Sequence, residues 1–444
     1  MDFFVKLKQL ALALGDLAVM YFSLGITIFI RYNTLSGEIA AIHFWPFTII
    51  FAVWLMVFYI GGLYELRELK NDLSFSKKYL ALIGIGAFLA ITFFYFAPGI
   101  AIAPKTNLFV FLVVFSLSAF VWRNLSNSFL SAGAPNTKVL LVGYNKSVQE
   151  IVDYIGQNPQ LGYEVTFWMR EGLQDKEFEH LSQVIAKNDI NMIVVPAHIK
   201  KNSRAARLIY KHLMLGIEIL DLEALYGRLL GKVPLEELEE VWFLENIAKS
   251  HKVYEFFKRP IEIVIALMII LVAVPIGLVA SLLIKISSAG PVMYNQKRVG
   301  RRENEFTIYK FRTMKEDAEK NGAQWSQKDD QRITLIGKFL RRTHMDELPQ
   351  LLNVLKGELS IVGPRPERPE FVKDLKAGIP YYELRHMIRP GITGWAQINY
   401  RYGASVEDAY EKLQYEIFYL KNRSVLLDIL IIIKTIRLIF TGSV

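Results

Sequence analysis

The chain has 444 residues, enough for about three domains at roughly 150 residues each. It is 52% hydrophobic and 21% charged, yet its formal net charge is +9; this excludes a disordered chain and points to apolar segments in lipid beside a basic part that meets something acidic. With no cysteine and no pair of its seven histidines at i, i+4, the chain has no disulfide, thiolate metal site or Cys nucleophile, and a His-based zinc site is not expected.

In chain order, the first elements are four apolar stretches, about Leu10–Ile30, Phe44–Leu63, Tyr79–Phe96 and Leu108–Trp122. Each is near the ~20 residues that cross a hydrocarbon core, and together they predict a four-helix transmembrane bundle over 1–130. The first is too long, and too soon followed by others like it, for a cleaved signal peptide. Lys6 and Lys8 precede it, Arg67, Lys70, Lys77 and Lys78 lie between the second and third, and Arg123 and Lys138 follow the fourth. The other two loops hold only Arg31 and Lys105, so the positive-inside rule makes both ends of the bundle cytoplasmic. Asp16, inside the first stretch, reads as a carboxylate satisfied by a neighbouring helix or lying near the interface, since a transporter would need more buried charge.

From Thr137 short apolar runs alternate with amphipathic helices. Strands are expected at Lys138–Gly143, Glu164–Met169, Ile190–Pro196 and Ile217–Asp221, with helices over Val148–Ile155, around Phe178–Lys187 and over Ser203–Leu215. That alternation predicts a doubly wound, Rossmann-like α/β module over 137–245. Its first turn, Gly143-Tyr-Asn-Lys-Ser147, lacks the second and third glycines of a dinucleotide fingerprint. Tyr144 and Asn145 put bulk where a pyrophosphate must approach the backbone. A structural or regulatory module, or one serving a homodimer, is expected instead of a cofactor site.

Pro260–Ile286 is a fifth apolar stretch. Pro275 near its middle removes a helix hydrogen bond, and both flanks are basic: Lys252, Lys258 and Arg259 before it, Lys285, Lys297, Arg298, Arg301 and Arg302 after it. A spanning helix would put one of these clusters outside. A re-entrant membrane helix over 256–287, bending at Val274-Pro275, satisfies both observations and keeps residues 288–444 in the cytoplasm against the headgroups.

Between Lys285 and Arg423 stand 25 Lys+Arg and 18 Asp+Glu, so this region carries +7 of the +9. Four blocks stand out: Gly290–Gly300, Phe306–Met314, Phe339–Glu367 and Arg389–Tyr400. In the third, Asp346 has the chemistry of a helix N-cap, followed by Glu347, Pro349, an apolar stripe Leu348/Leu351/Leu352/Leu355 and a closing Gly357. A dipole at that N-terminus would keep the acidic pair ionised. A capping carboxylate with a surface ion pair is the plain reading, but Lys310, Arg312, Arg341, Arg342 and Arg365 are too many cations for one cap. Tyr294, Gln296 and Arg298 alternate along a short strand, and Trp395 and Gln397 alternate likewise; these could frame a nucleotide or a headgroup, or simply pack. Ser424–Phe440, with Lys434 and Arg437 a turn apart, fits an interfacial helix.

These blocks, in this order over roughly Phe256–Val444, resemble the bacterial sugar transferase family, the polyprenyl-phosphate hexose-1-phosphate transferases or monotopic phosphoglycosyl transferases. The four spans and α/β module resemble its large, exopolysaccharide-initiating branch. His344-Met345 departs from the commoner small polar residue and Leu but leaves the Asp-Glu dyad intact. The resemblance implies a multi-domain protein of the bacterial inner membrane with a small α/β catalytic domain on the cytoplasmic face. It implies transfer of a sugar-1-phosphate from a UDP-sugar to undecaprenyl phosphate, with Asp346 as nucleophile and UMP released. Asp346 and Glu347 would hold Mg²⁺, and Lys310, Arg312, Arg341 and Arg365 would bind phosphate. The alternative is a catalytically inactive membrane-anchored regulator or scaffold of polysaccharide export. A nucleic-acid partner is not expected, because the cations are interleaved with apolar motifs instead of lining a groove with stacking aromatics.

Overall fold

The computed structural model of the chain describes residues 3–34, 36–65, 73–96, 104–132, 137–169, 181–197, 210, 216–248, 252–315, 330, 332–400 and 405–441. The chain divides into two compact units, Met1–Arg228 and Leu229–Val444.

The first unit begins with helices Phe3–Tyr32, Gly37–Ile60, Leu73–Phe96 and Pro104–Ala132, each long and apolar enough to cross a membrane. Lipid gives little hydrophobic drive between helices, so close packing and interhelical polar contacts must hold them. Both are present. Phe47, Phe51, Trp54, Phe58, Phe111 and Phe115 are buried together, and the Trp54 indole donates to the Gly86 carbonyl at 2.8 Å. Asp16 takes an ion pair from Arg123 and a hydrogen bond from the Tyr64 hydroxyl at 2.8 Å, so a neighbouring helix does satisfy it. Arg123 is therefore no loop charge: it lies inside the fourth helix, buried, with Nη1 on the Leu63 carbonyl at 3.1 Å. An arginine inside a helix and spent on an internal carboxylate does not read the membrane side.

The α/β part carries β1 (Thr137–Val142), β2 (Tyr163–Met169), β3 (Met192–Val195) and β4 (Glu218–Asp221), all parallel in the order β2-β1-β3-β4. Helices Lys146–Gln157 and Leu181–Asn188 alternate with them, while most of Ser203–Leu215 falls outside the described residues. The turn after β1 is filled by its own side chains. Gly143 has φ 95°, Tyr144 stacks on Trp168 at 5.5 Å, and the Trp168 indole donates to the Gly143 carbonyl at 2.8 Å. Asn145 caps the following helix, accepting from Val148 N at 2.8 Å.

The second unit starts earlier than the expected 256. Val233, Leu235, Leu238, Trp242, Phe243 and Ile247 share one core with residues as distant as Ile417 and Ile431; the segment assigned to the α/β module up to 245 thus buries its apolar side chains here from Leu229 onward. Helix Lys252–Ser287 follows, another helix long and apolar enough to cross a membrane. It is one helix through both Pro260 and Pro275, so Pro275 ends neither half; the lost hydrogen bond is a local cost. Its first half is tied down at Lys258 Nζ to the Val362 carbonyl (2.9 Å) and Arg259 to the Val354 and Leu355 carbonyls (2.6 and 3.0 Å). Its last turns pack Ala280 and Ile284 against Phe311 and Leu340.

Around this helix lie an antiparallel pair, β5 (Met293–Val299) and β6 (Glu305–Phe311), and a short parallel pair, β7 (Ser360–Val362) and β8 (Gly391–Thr393). Helices Leu335–Arg342, Gln350–Lys356, Pro369–Gly378, Val406–Asn422 and Val425–Thr441 complete the unit. The last of these buries Ile431 and leaves Leu426, Ile429, Ile436 and Ile439 exposed, an apolar outer face in keeping with a helix lying at a lipid surface. Among the described residues five helices are thus long and apolar enough to cross a membrane, as suits a membrane protein.

Candidate active site

The dyad sits in a tighter turn than the sequence suggested. Helix Leu335–Arg342 is capped by Thr334 Oγ1 on Gly337 N at 2.9 Å. His344 then adopts a left-handed conformation, φ 56°, and Met345–Glu347 form a single 3₁₀ turn. The next helix begins only at Gln350, after Pro349, and closes on Gly357 at φ 86°. Asp346 is therefore not its N-cap, because the left-handed residue re-aims the chain before the helix starts. Burial and the neighbouring charged side chains act on the two carboxyls of the dyad.

Glu347 and Asp346 have opposite environments. Lys310 Nζ and Arg365 Nη2 both donate to Glu347 Oε1, at 2.8 and 2.7 Å. Burial alone would push the Glu347 carboxyl up, but Arg365 and Lys310 outweigh it and hold the group well below the usual carboxylate range. Asp346, only 7% exposed, receives no hydrogen bond on its carboxylate among the described residues. Burial and then the like charge of Glu347 push its carboxyl above the ordinary value, against the pull of Lys310, Arg341 and Arg365. Burial likewise pushes the Lys310 ammonium down, with Glu347 opposing. Arg341 is held by its Nε on Thr313 Oγ1 at 2.9 Å.

The strand register links these groups to a second row of side chains. Tyr294 stands opposite Lys310, and Tyr294, Gln296 and Arg298 do share a face: Gln296 Nε2 donates to Tyr294 Oη (3.0 Å) and Arg298 Nη2 to Gln296 Oε1 (2.6 Å). Arg298 Nη1 continues to the Pro366 carbonyl at 2.9 Å. The turn Pro364-Arg365-Pro366 is clamped from the other side by Arg385, whose Nη2 donates to the Arg365 carbonyl at 2.9 Å while Nε and Nη2 bind Glu416 at 2.8 Å each. Neither Arg385 nor Glu416 was singled out in the sequence. Glu416 did carry a signal, a carboxylate in the apolar stripe Leu413/Ile417/Leu420, where charge is rarely buried without a partner. Gly363 and Gly391 let two backbones meet beneath this turn; a Cβ on Gly363 would fall 2.5 Å from the Arg389 carbonyl oxygen.

Other candidates lie elsewhere. Arg312 is buried and donates through Nη2 to Ser288 O and Oγ at 2.8 and 2.9 Å, tying β6 to the end of the membrane helix instead of bonding the dyad. Trp395 and Gln397 lie on helix Trp395–Asn399, where residues two apart do not share a face, so the strand-like alternation is corrected. The Trp395 indole stacks on Phe418 at 5.7 Å and donates to the Gly231 carbonyl at 2.6 Å. Gln397 Nε2 closes on the Ile392 carbonyl at 3.0 Å. For Mg²⁺, no cluster of three or more His, Asp or Glu occurs among the described residues. Such an ion would have only Asp346 and the second oxygen of Glu347 from the protein, in the manner of sites completed by substrate phosphates.

A buried carboxylate pair among cations, beside a long apolar helix, suits transfer of an anionic group at a membrane. The comparisons name the family: the bacterial sugar transferase family matches residues 253–442. An N-acetylgalactosaminephosphotransferase of Aeromonas hydrophila, acting between UDP-N-acetylgalactosamine and undecaprenyl phosphate, is 43% identical over 226 residues, 51% of this chain and 53% of that protein. A putative undecaprenyl-phosphate N-acetylgalactosaminyl 1-phosphate transferase of Bacillus subtilis (strain 168) is 50% identical over 132 residues, 30% of this chain and 74% of that protein. The UDP-glucose:undecaprenyl-phosphate glucose-1-phosphate transferase of Escherichia coli (strain K12) is 30% identical over 321 residues, 66% and 68% of the two chains. The match thus spans about half the length of the Aeromonas relative and two thirds or more of the other two. The chain belongs to the bacterial sugar transferase family.

Proposed function

We propose that this enzyme transfers a sugar-1-phosphate from a UDP-sugar to undecaprenyl phosphate at the cytoplasmic face of the bacterial inner membrane, releasing UMP and starting an exopolysaccharide, capsule or O-antigen glycan. The observation that carries the reading is Asp346: buried, undonated, and beside a Glu347 already neutralised by Lys310 and Arg365. In the first step an Asp346 oxygen bonds to the β-phosphorus, the bond from that phosphorus to the bridging oxygen breaks, and UMP leaves with the electron pair. In the second, an oxygen of the lipid phosphate bonds to the same phosphorus and Asp346 departs as carboxylate, giving the lipid diphosphate sugar. Anion attacking anion needs preorganised positive charge. Arg341, Lys310 and the unspent N–H groups of Arg365 supply it, and the Arg298 and Arg385 clamps hold the Arg365 turn in place. Mg²⁺ held by Asp346 and Glu347 would add charge at the diphosphate.

Support for re-entry of Lys252–Ser287 comes from its two ends, which bond and pack into one and the same unit. Cysteines introduced at Phe257 and Ser288 should both label from the cytoplasmic side only. The catalytic test is UMP release from a UDP-sugar with undecaprenyl phosphate and Mg²⁺. A phosphosugar adduct trapped on the protein without lipid supports the two-step route, whereas UMP release that requires lipid and leaves no adduct supports direct attack by the lipid phosphate. Full turnover in Asp346→Asn would remove Asp346 as nucleophile.

A further inference from the structure

A second concentration of positive charge lies apart from the dyad. An open recess is lined by Tyr254 and Lys258 of the membrane helix, Arg301, Ser360, Arg389 before β8, and Arg423 between the last two helices. Glu255 also lines it and is the one carboxylate to do so. That carboxylate is engaged by Arg423 at 3.4 Å, and Lys258 leans toward Asp428 and Glu262 at 3.2 and 3.8 Å. Among the described residues no carboxylate stands within ion-pair distance of Arg301 or Arg389, and Arg423 Nε is buried with no hydrogen-bond partner. Like charges gathered at the edge of a low-dielectric region repel unless an anion joins them. The rim has the opposite character: Phe256, Phe257 and Leu426, in the same helical turns, are 73%, 52% and 74% exposed. A cationic recess with an apolar rim, where two apolar helices begin, matches an amphiphile with a phosphate head.

We propose that this recess binds the phosphate of a membrane lipid, with its hydrocarbon chain lying along Phe256, Phe257 and Leu426. Arg389 and Arg423 grip the phosphate oxygens through charge-assisted hydrogen bonds, and Lys258 and Ser360 close the back of the site. None of these residues belongs to the dyad cluster, so the site holds whether or not the transfer reaction is assigned correctly. The test is native mass spectrometry of the delipidated full-length protein, titrated separately with phosphatidylglycerol, undecaprenyl phosphate, diacylglycerol and inorganic phosphate. One of the two phospho-lipids should be retained well above diacylglycerol and inorganic phosphate; whichever it is identifies the source of the headgroup. Arg389→Gln with Arg423→Gln should weaken retention about a hundredfold, the loss of two charge-assisted hydrogen bonds at about tenfold each. Arg389→Lys with Arg423→Lys should keep most of it, which separates lost charge from lost fold. Wild-type retention in the Gln pair, or equal binding of diacylglycerol or inorganic phosphate, would overturn the proposal. Loss of lipid from Asp346→Asn would place the lipid at the dyad and overturn the separate site.

Discussion

Asp16 and Asp346 are both buried aspartates with arginine nearby, and their surroundings differ in one respect. Asp16 is closed on one oxygen: Arg123 and the Tyr64 hydroxyl both donate to its Oδ2, and Arg123 also donates to the Leu63 carbonyl. Asp346 is open. Its neighbour Glu347 takes the hydrogen bonds of Lys310 and Arg365, leaving Asp346 inside a positive field with free lone pairs. A carboxylate bonded by an arginine and a tyrosine holds helices together; one left without donors among cations keeps its nucleophilicity. The contrast separates a structural ion pair from a reaction centre where burial alone would not.

That contrast can be broken most directly at Asp346. Asp346→Asn should lower turnover, read as UMP release, by about four orders of magnitude or more, as loss of a nucleophile does, with little change in thermal stability. Glu347→Gln comes next, with kcat down about a hundredfold as Lys310 and Arg365 lose their anchor. Its pH profile is the sharper readout. Asp346 attacks only when ionised and its pKa is raised, so activity falls as pH drops through that raised value. Removing the Glu347 charge lowers the Asp346 pKa, so the acid limb should move to lower pH; an unmoved limb would mean Asp346 does not set it. At the closed site, Asp16→Ala strands a buried arginine and should cost about 3–5 kcal/mol, seen as a lower melting temperature in detergent. Asp16→Leu with Arg123→Met should recover most of that. Smallest is Trp395→Phe, which loses one hydrogen bond worth about 1 kcal/mol and should leave KM for the UDP-sugar unchanged; a raised KM would return Trp395 to the nucleotide site.

The long apolar helices and the parallel strands were legible because composition and period state them directly. β1 to β4 fall within a residue or two of the expected runs, and the crowded turn at Tyr144 is filled by Trp168. What sequence could not give was pairing at a distance. Arg123 looked like a loop cation because Asp16 lies 107 residues away. Asp346 looked like a cap because nothing in His344 announces a left-handed turn. Trp395 and Gln397 looked like a strand because two residues cannot separate an alternation from a short helix. Arg385 and Glu416 went unread for the same reason as Arg123. Lys310, Arg341 and Arg365, by contrast, were readable as a cation set and do converge on the dyad.

Glu262 carries a further consequence. It lies on the membrane helix, buried, with Ser360 Oγ and Ile361 N (3.2 Å) donating to its carboxylate. At a rise of about 1.5 Å per residue, sliding the helix by even one position would pull that carboxylate off both donors at the level of β7. The helix therefore acts as a fixed keel. With Lys258 and Arg259 bonded to the Val362, Val354 and Leu355 carbonyls as well, the helix is locked in one register against the fold that carries the site.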